Sequence, residues 1–165
     1  LGSFILMTTI TFLKFSDKYK AAWIFYAAPI QGPGKLMRAA LKMLIVKYFL
    51  LIYAVVSVIA LYFRGPSFIP NLILGFVNVL LISILWAFLY LKSLPFSNEW
   101  RVEQSSGRFM QSFLLMILVG GLGFLHFAIS GYTMVVWILI PLIIIADWLL
   151  LESFGSRRWE QLAGE

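Results

Sequence analysis

Long apolar stretches separated by short polar ones run the length of the chain. Met43–Phe63, Pro70–Leu91, Met110–Ile129 and Tyr132–Leu151 are the four longest. Each has the roughly 20 residues that a helix needs to cross a hydrocarbon core about 30 Å thick. Their polar exceptions are few: Lys47 in the first, Asn71 and Asn78 in the second, Gln111 and His126 in the third, Asp147 in the fourth. In lipid every backbone polar group must be satisfied within the protein, so helices are expected. The alternation of short segments that marks a membrane barrel is absent. The pattern predicts an all-α membrane protein with four transmembrane helices, a partial N-terminal helix and one interfacial amphipathic helix.

The opening run, LGSFILMTTITFLKF, is apolar but has neither a basic leading region nor a small-residue cleavage site. Residues 1–13 therefore read as the inward end of an earlier transmembrane helix, and the chain as a piece of a longer one. Residues 14–42 form a polar connector. Residues 43–165 form the four-span bundle, with a polar loop at 92–109 and a polar tail.

Composition supports the membrane reading. The chain is 62% hydrophobic and 12% charged, against about 25% charged in soluble domains. Without cysteine there is no disulfide, thiolate metal site or Cys nucleophile. No nucleophile elbow, HExxH or Walker sequence occurs, so the reading is of a chain that is not an enzyme, hydrolyses no ATP itself and needs no cofactor or metal. The net charge of +6 is then a matter of basic loops facing anionic lipid, not of nucleic acid.

The basic residues are unevenly placed. Lys14, Lys18, Lys20, Lys35, Arg38 and Lys42 lie in the first connector; Lys92, Arg101 and Arg108 in the 92–109 loop; Arg157 and Arg158 in the tail. The two short turns between them, RGPSFI and SGYT, carry one Arg and none. By the positive-inside rule the connector, the loop and the C-terminal tail are cytoplasmic, and the parity holds for all four spans. Ser16–Ile30 is expected to be an interfacial helix, capped by Ser16 or Asp17 and anchored by Trp23, Phe25 and Tyr26. Pro29 and QGPG end it, with Pro33 and Gly34 as a turn into the next helix. Lys35, Arg38 and Lys42 fall on one face of that helix, either as anchors to lipid phosphates or as a docking surface for a cytoplasmic partner. Arg101 and Arg108 extend that surface.

Ionisable residues within spans are functional hypotheses by default. Lys47 and Asp147 are expected at similar depth, as an intramembrane ion pair, as two snorkelling side chains, or as a transport or proton site. His126 has no second ligand nearby in sequence and reads as a hydrogen-bonded histidine. Asn78 reads as glue to a neighbouring helix. Gly120, Gly121 and Pro141 are candidate points of helix flexure. Glu99 and Glu103, four apart, suit acid–base work, a cation or simply a solvated helix.

The stretch SDKYKAAWIFYAAPIQGPGKLMRAALKMLIVKYF, Ser16–Phe49, resembles a segment of large bacterial membrane proteins of the ABC-type permease class. There an S-x-x-Y-x-A-A-W-I-F stretch, a P-G turn and a basic helix precede the last four spans. LPFS and SSGRF in the second loop fit the same pattern. The resemblance implies the C-terminal portion of a permease-like transporter in a bacterial inner membrane. It also implies a separate ATPase subunit docking on residues 16–42 and 93–109. The other reading is a structural or assembly subunit bound to further membrane helices or to a second copy. A lipid-modifying enzyme would need carboxylates or His converging at one depth, and His126 and Asp147 lie toward opposite sides.

Overall fold

The computed structural model describes residues 2–30, 32–99 and 105–162, with backbone alone over 105–109. The apolar runs fold as helices: α1 (Gly2–Phe12), α2 (Trp23–Ala27), α3 (Pro33–Leu44), α4 (Leu51–Arg64), α5 (Ile69–Tyr90), α6 (Ser105–Ile129) and α7 (Thr133–Gly155). A π-wound segment, Ile45–Leu50, fuses α3 and α4 into one rod of 32 residues. That rod, α5, α6 and α7 are each long and apolar enough to cross a membrane, and α1 is a shorter apolar helix. The chain is an all-α, multi-pass membrane protein.

The rod begins ten residues before the apolar run does. At 1.5 Å per residue its length exceeds a hydrocarbon core of about 30 Å, so part of it must lie outside. That part is α3, which is amphipathic: Met37, Leu41 and Leu44 are buried on one stripe, while Lys35 and Lys42 are exposed. Pro33 and Gly34 are not a turn but the first helical residues. Proline suits this position because its missing N–H would be unpaired there anyway.

The expected interfacial helix over Ser16–Ile30 is much shorter. A 3₁₀ turn at Tyr19–Ala22 runs into the five-residue α2. Ser16 Oγ accepts the Lys18 N–H at 3.1 Å, which closes a local turn and caps no helix. Ala28 is extended because the ring of Pro29 disfavours the helical region for the residue before it. Trp23, Ile24 and Tyr26 remain exposed.

α5 is the hub. It packs most extensively on α7 and then on α1, while α3 packs on α7. Leu6, Met7 and Ile10 of α1, Met37 and Leu41 of α3, Trp86 and Ala87 of α5 and Phe154 of α7 share one core. Trp86 Nε1 donates to Thr11 Oγ1 at 2.9 Å, so the indole is buried with its polar edge satisfied. A smaller core joins Leu74 and Val77 of α5 to Val136 and Ile140 of α7. By contrast α4 buries none of its residues. Its root is held by an aromatic trio in which Phe49, Tyr53 and Phe76 lie with centroids 5.2–5.6 Å apart.

α3 and α7 run antiparallel and cross closely at two glycines. A Cβ added to Gly34 would lie 2.5 Å from the Gly155 carbonyl oxygen and 2.7 Å from the Arg157 nitrogen. Real Cβ atoms do not approach backbone so closely, so Gly34 is required by the crossing. Gly120, Gly121 and Gly123 of α6 have nothing within 4 Å of such a Cβ. Replacing Gly34 by Val is therefore expected to cost about 2 kcal/mol or more through overpacking. Gly121→Ala should be neutral or slightly stabilising. Denaturant unfolding in detergent micelles, followed by circular dichroism, measures both.

Candidate functional site at the basic end of the bundle

The polar connectors meet at one end of the bundle. Asn98 N–H donates to the Lys14 carbonyl (2.8 Å), Ser16 N–H to Asn98 (3.1 Å) and Phe96 N–H to Leu13 (2.9 Å). Phe15 and Asn98 thereby form an isolated parallel bridge. The turn that allows it lies within LPFS, where Phe96 takes φ 60° and Ser97 donates to the Leu94 carbonyl at 2.8 Å. A left-handed φ is uncommon in a residue with a side chain. The paired backbone and the buried Leu94 and Ser97 hold it in place.

Arg157 ties three helix ends together. Its Nη1 donates to the Leu91 carbonyl at 2.7 Å and its Nη2 to the Phe88 carbonyl, both at the C-terminus of α5. Those carbonyls have no partner within their own helix, and the helix dipole leaves that end negative, so a guanidinium fork suits it. The same guanidinium lies 4.4 Å over the Phe88 ring and 4.8 Å over that of Phe154. The Arg157 carbonyl accepts the Gly34 N–H at 3.3 Å, which adds the start of α3. Burial lowers the Arg157 pKa from its ordinary value, and arginine nevertheless stays charged at neutral pH.

Two adjoining clefts open around this junction, of about 870 and about 480 Å³. Arg157, Arg158, Ser156 and Glu160 line both; Lys92 lines the larger and Lys35 the smaller. Trp159 of the tail lines the smaller cleft, and its ring lies tilted against Tyr26 of α2, with centroids 5.3 Å apart.

The residues singled out in the sequence fall differently. Arg38 leaves the basic face of α3 and pairs with Glu152 of α7 at 2.6 Å. Lys35 lines a cleft and Lys42 is exposed. Lys47 and Asp147 are not brought together. Lys47 is exposed with its Nζ 5.5 Å over the Tyr48 ring, whereas Asp147 is 8% exposed and neither of its carboxyl oxygens has a hydrogen-bond partner. The cause is register. Helices that set Gly34 beside Gly155 and Arg38 beside Glu152 put Asp147 level with Met43, and Lys47 level with Ile143. Asn78 and His126 do meet, with Nδ2 and Nδ1 3.5 Å apart. Pro141 lies within a helix that continues past it. Arg101 and Glu103 lie outside the described residues, as does the Arg108 side chain. Among the described residues no group of three His, Asp or Glu is placed to hold a metal ion.

The sequence reading overlooked Arg157 and Lys92 as individual residues. The signal was present: Lys92 directly follows the apolar run Pro70–Leu91, and Arg157 lies in the polar stretch just after Tyr132–Leu151. Compared with models of known protein families, with curated proteins and with solved structures, the chain matches none.

Two outcomes follow from this geometry. Arg157→Ala strands two carbonyls of α5, and a charge-assisted bond is worth about 1.5–3 kcal/mol. A loss of about 2 kcal/mol or more in denaturant unfolding is expected, with Arg157→Lys recovering only part of it because an ammonium cannot fork. In double-mutant cycles, Arg38 with Glu152 should show a coupling up to about 1 kcal/mol. Lys47 with Asp147 should show none.

Proposed function

We propose that this chain is a membrane-domain part of a transporter of the ABC permease-like type, driven by a separate cytoplasmic ATPase subunit. One observation carries the reading. The first connector, the second loop and the tail, which hold most of the basic residues, are joined by the Phe15–Asn98 bridge and the Arg157 junction into one unit at one end of the bundle. A unit of that kind can pass a push from a cytoplasmic partner to α1, α3, α5 and α7 together. These residues carry no nucleotide-binding sequence, and in this reading the energy comes from a separate subunit. Charge bias supports a cytoplasmic connector, loop and C-terminus, in a bacterial inner membrane on the resemblance of Ser16–Phe49. Substrate movement would arise from rearrangement of helices in the lipid, with Gly120, Gly121 and Pro141 as the points of bending. We read the chain as non-enzymatic.

The second reading, a structural or assembly subunit, is favoured by α4 and α6. α4 buries none of its residues, and the apolar part of α6 is only 6% buried. Such helices suit neighbours in a larger membrane complex, or a second copy of the chain, as well as lipid.

Crosslinking followed by gentle purification from the native membrane tests both. The transporter reading expects a nucleotide-binding protein crosslinked to residues 16–42 and 93–109, and a severalfold loss of it in a Lys18→Glu, Lys20→Glu variant. Crosslinks confined to α4 and α6, with membrane proteins alone as partners, would overturn it in favour of assembly.

A further inference from the structure

We propose that the larger cleft at the basic end is a binding site for the headgroup phosphate of an anionic phospholipid, held by Lys92 and Arg158. The proposal stands apart from the transporter reading and needs only a membrane around the helices.

Position is the first argument. Lys92 lies just past the end of α5, and Arg158 just past the end of α7. These apolar helices end where hydrocarbon gives way to headgroups. The exposed Trp148 and Leu149 of α7 lie one to two turns below the cleft, on the apolar side. Trp159 lines the adjoining smaller cleft, with the exposed Tyr26 against it. Tryptophan and tyrosine concentrate at headgroup depth.

Charge is the second. Lys92 and Arg158 are both exposed and line the cleft with Arg157, against a single acid, Glu160. Among the described residues neither the Lys92 amine nor the Arg158 guanidinium has a side-chain partner. Arg157 differs, because its guanidinium is committed to the Phe88 and Leu91 carbonyls. It acts as a positioning residue: by fixing the end of α7 against the end of α5 it fixes the gap between Lys92 and Arg158. Gln161 Oε1 accepts the Arg158 backbone N–H at 3.1 Å, which steadies the tail that carries the guanidinium. A phosphate seated between an ammonium and a guanidinium receives donors from both, and the guanidinium can bind it through two N–H groups.

Volume is the third. About 870 Å³, open on one side, is in the range of small-molecule sites. It has room for a glycerophosphate headgroup and not only for a bare ion. A soluble phosphate offers the same charge, but it cannot use the apolar side chains of Phe88 and Leu162 that line the cleft, and this favours the lipid.

Native mass spectrometry of the intact chain, released from micelles doped with phosphatidylglycerol or with phosphatidylcholine, tests the proposal. The wild type is expected to retain phosphatidylglycerol in preference. Each basic side chain at an anionic lipid surface contributes about fivefold, so Lys92→Gln with Arg158→Gln should cut that retention by about 25-fold. A control with Lys18→Gln and Lys20→Gln, both exposed and outside the cleft, should leave it unchanged. Equal retention of the two lipids by the wild type would overturn the proposal, as would equal losses in the two variants. Added inorganic phosphate supplies the remaining arm. If it displaces the lipid at millimolar concentration, or binds without it, the site belongs to a soluble anion and the lipid assignment fails. Should the Lys92 and Arg158 variant not fold, the comparison of lipids and the phosphate competition in the wild type still decide.

Discussion

The guanidinium of Arg157 is the joint on which this architecture turns. Membrane helices lack the hydrophobic drive that collapses soluble bundles, because lipid tails are as apolar as their side chains. Close packing and a few well-placed hydrogen bonds must do more. Arg157 supplies both at one point: its fork takes the terminal carbonyls of α5, its ring contacts fill the space between Phe88 and Phe154, and its own carbonyl takes the start of α3. The Gly34–Gly155 crossing is possible only with those ends held together, and it sets the register in which Arg38 finds Glu152.

That register explains why some of the site was legible in the sequence and some was not. Spans were legible because length and apolarity decide them, and α5, α6 and α7 follow the apolar runs closely. The start of the first rod was less so, since α3 is amphipathic and its polar face hid it among connector residues. The Lys47–Asp147 expectation rested on depth alone. Depth says nothing about which helices face each other or by how many residues they are offset, and a shift of one turn turned Arg38 to Glu152 and left Asp147 alone. α2 was over-extended because aromatic and apolar residues before Pro29 suggested a helix that the extended Ala28 ends early. The Phe15–Asn98 bridge was invisible for another reason. It is a tertiary pairing between segments more than eighty residues apart, made possible by one unusual φ at Phe96.

Three hydroxyls of the apolar helices are committed to local bonds. Thr9, Thr11 and Ser83 each donate to the carbonyl four residues earlier, at 2.6–2.9 Å. Such bonds remove the cost of carrying a hydroxyl in lipid and carry no information about partners. Other polar contacts do: Trp86 to Thr11 joins α5 to α1, Tyr53 to the Leu72 carbonyl joins α4 to α5, Asn71 to the Ser130 carbonyl joins α5 to the turn before α7, and Asn78 with His126 joins α5 to α6. All four involve α5. The hub helix is therefore recognisable by polar contacts as well as apolar ones.

The π-wound stretch at Ile45–Leu50 gives the rod two independent faces. A π turn holds more residues than an α turn, so the side chains beyond it are rotated relative to those before it. α3 can thus aim its apolar stripe at α1 and α7 while Phe49 of the π-wound stretch and Tyr53 of α4 face Phe76. A continuous α-helix of the same sequence would have to satisfy both orientations with a single phase. The wide turn works as a built-in phase shifter between the part of the rod that belongs to the polar junction and the part that belongs to the lipid.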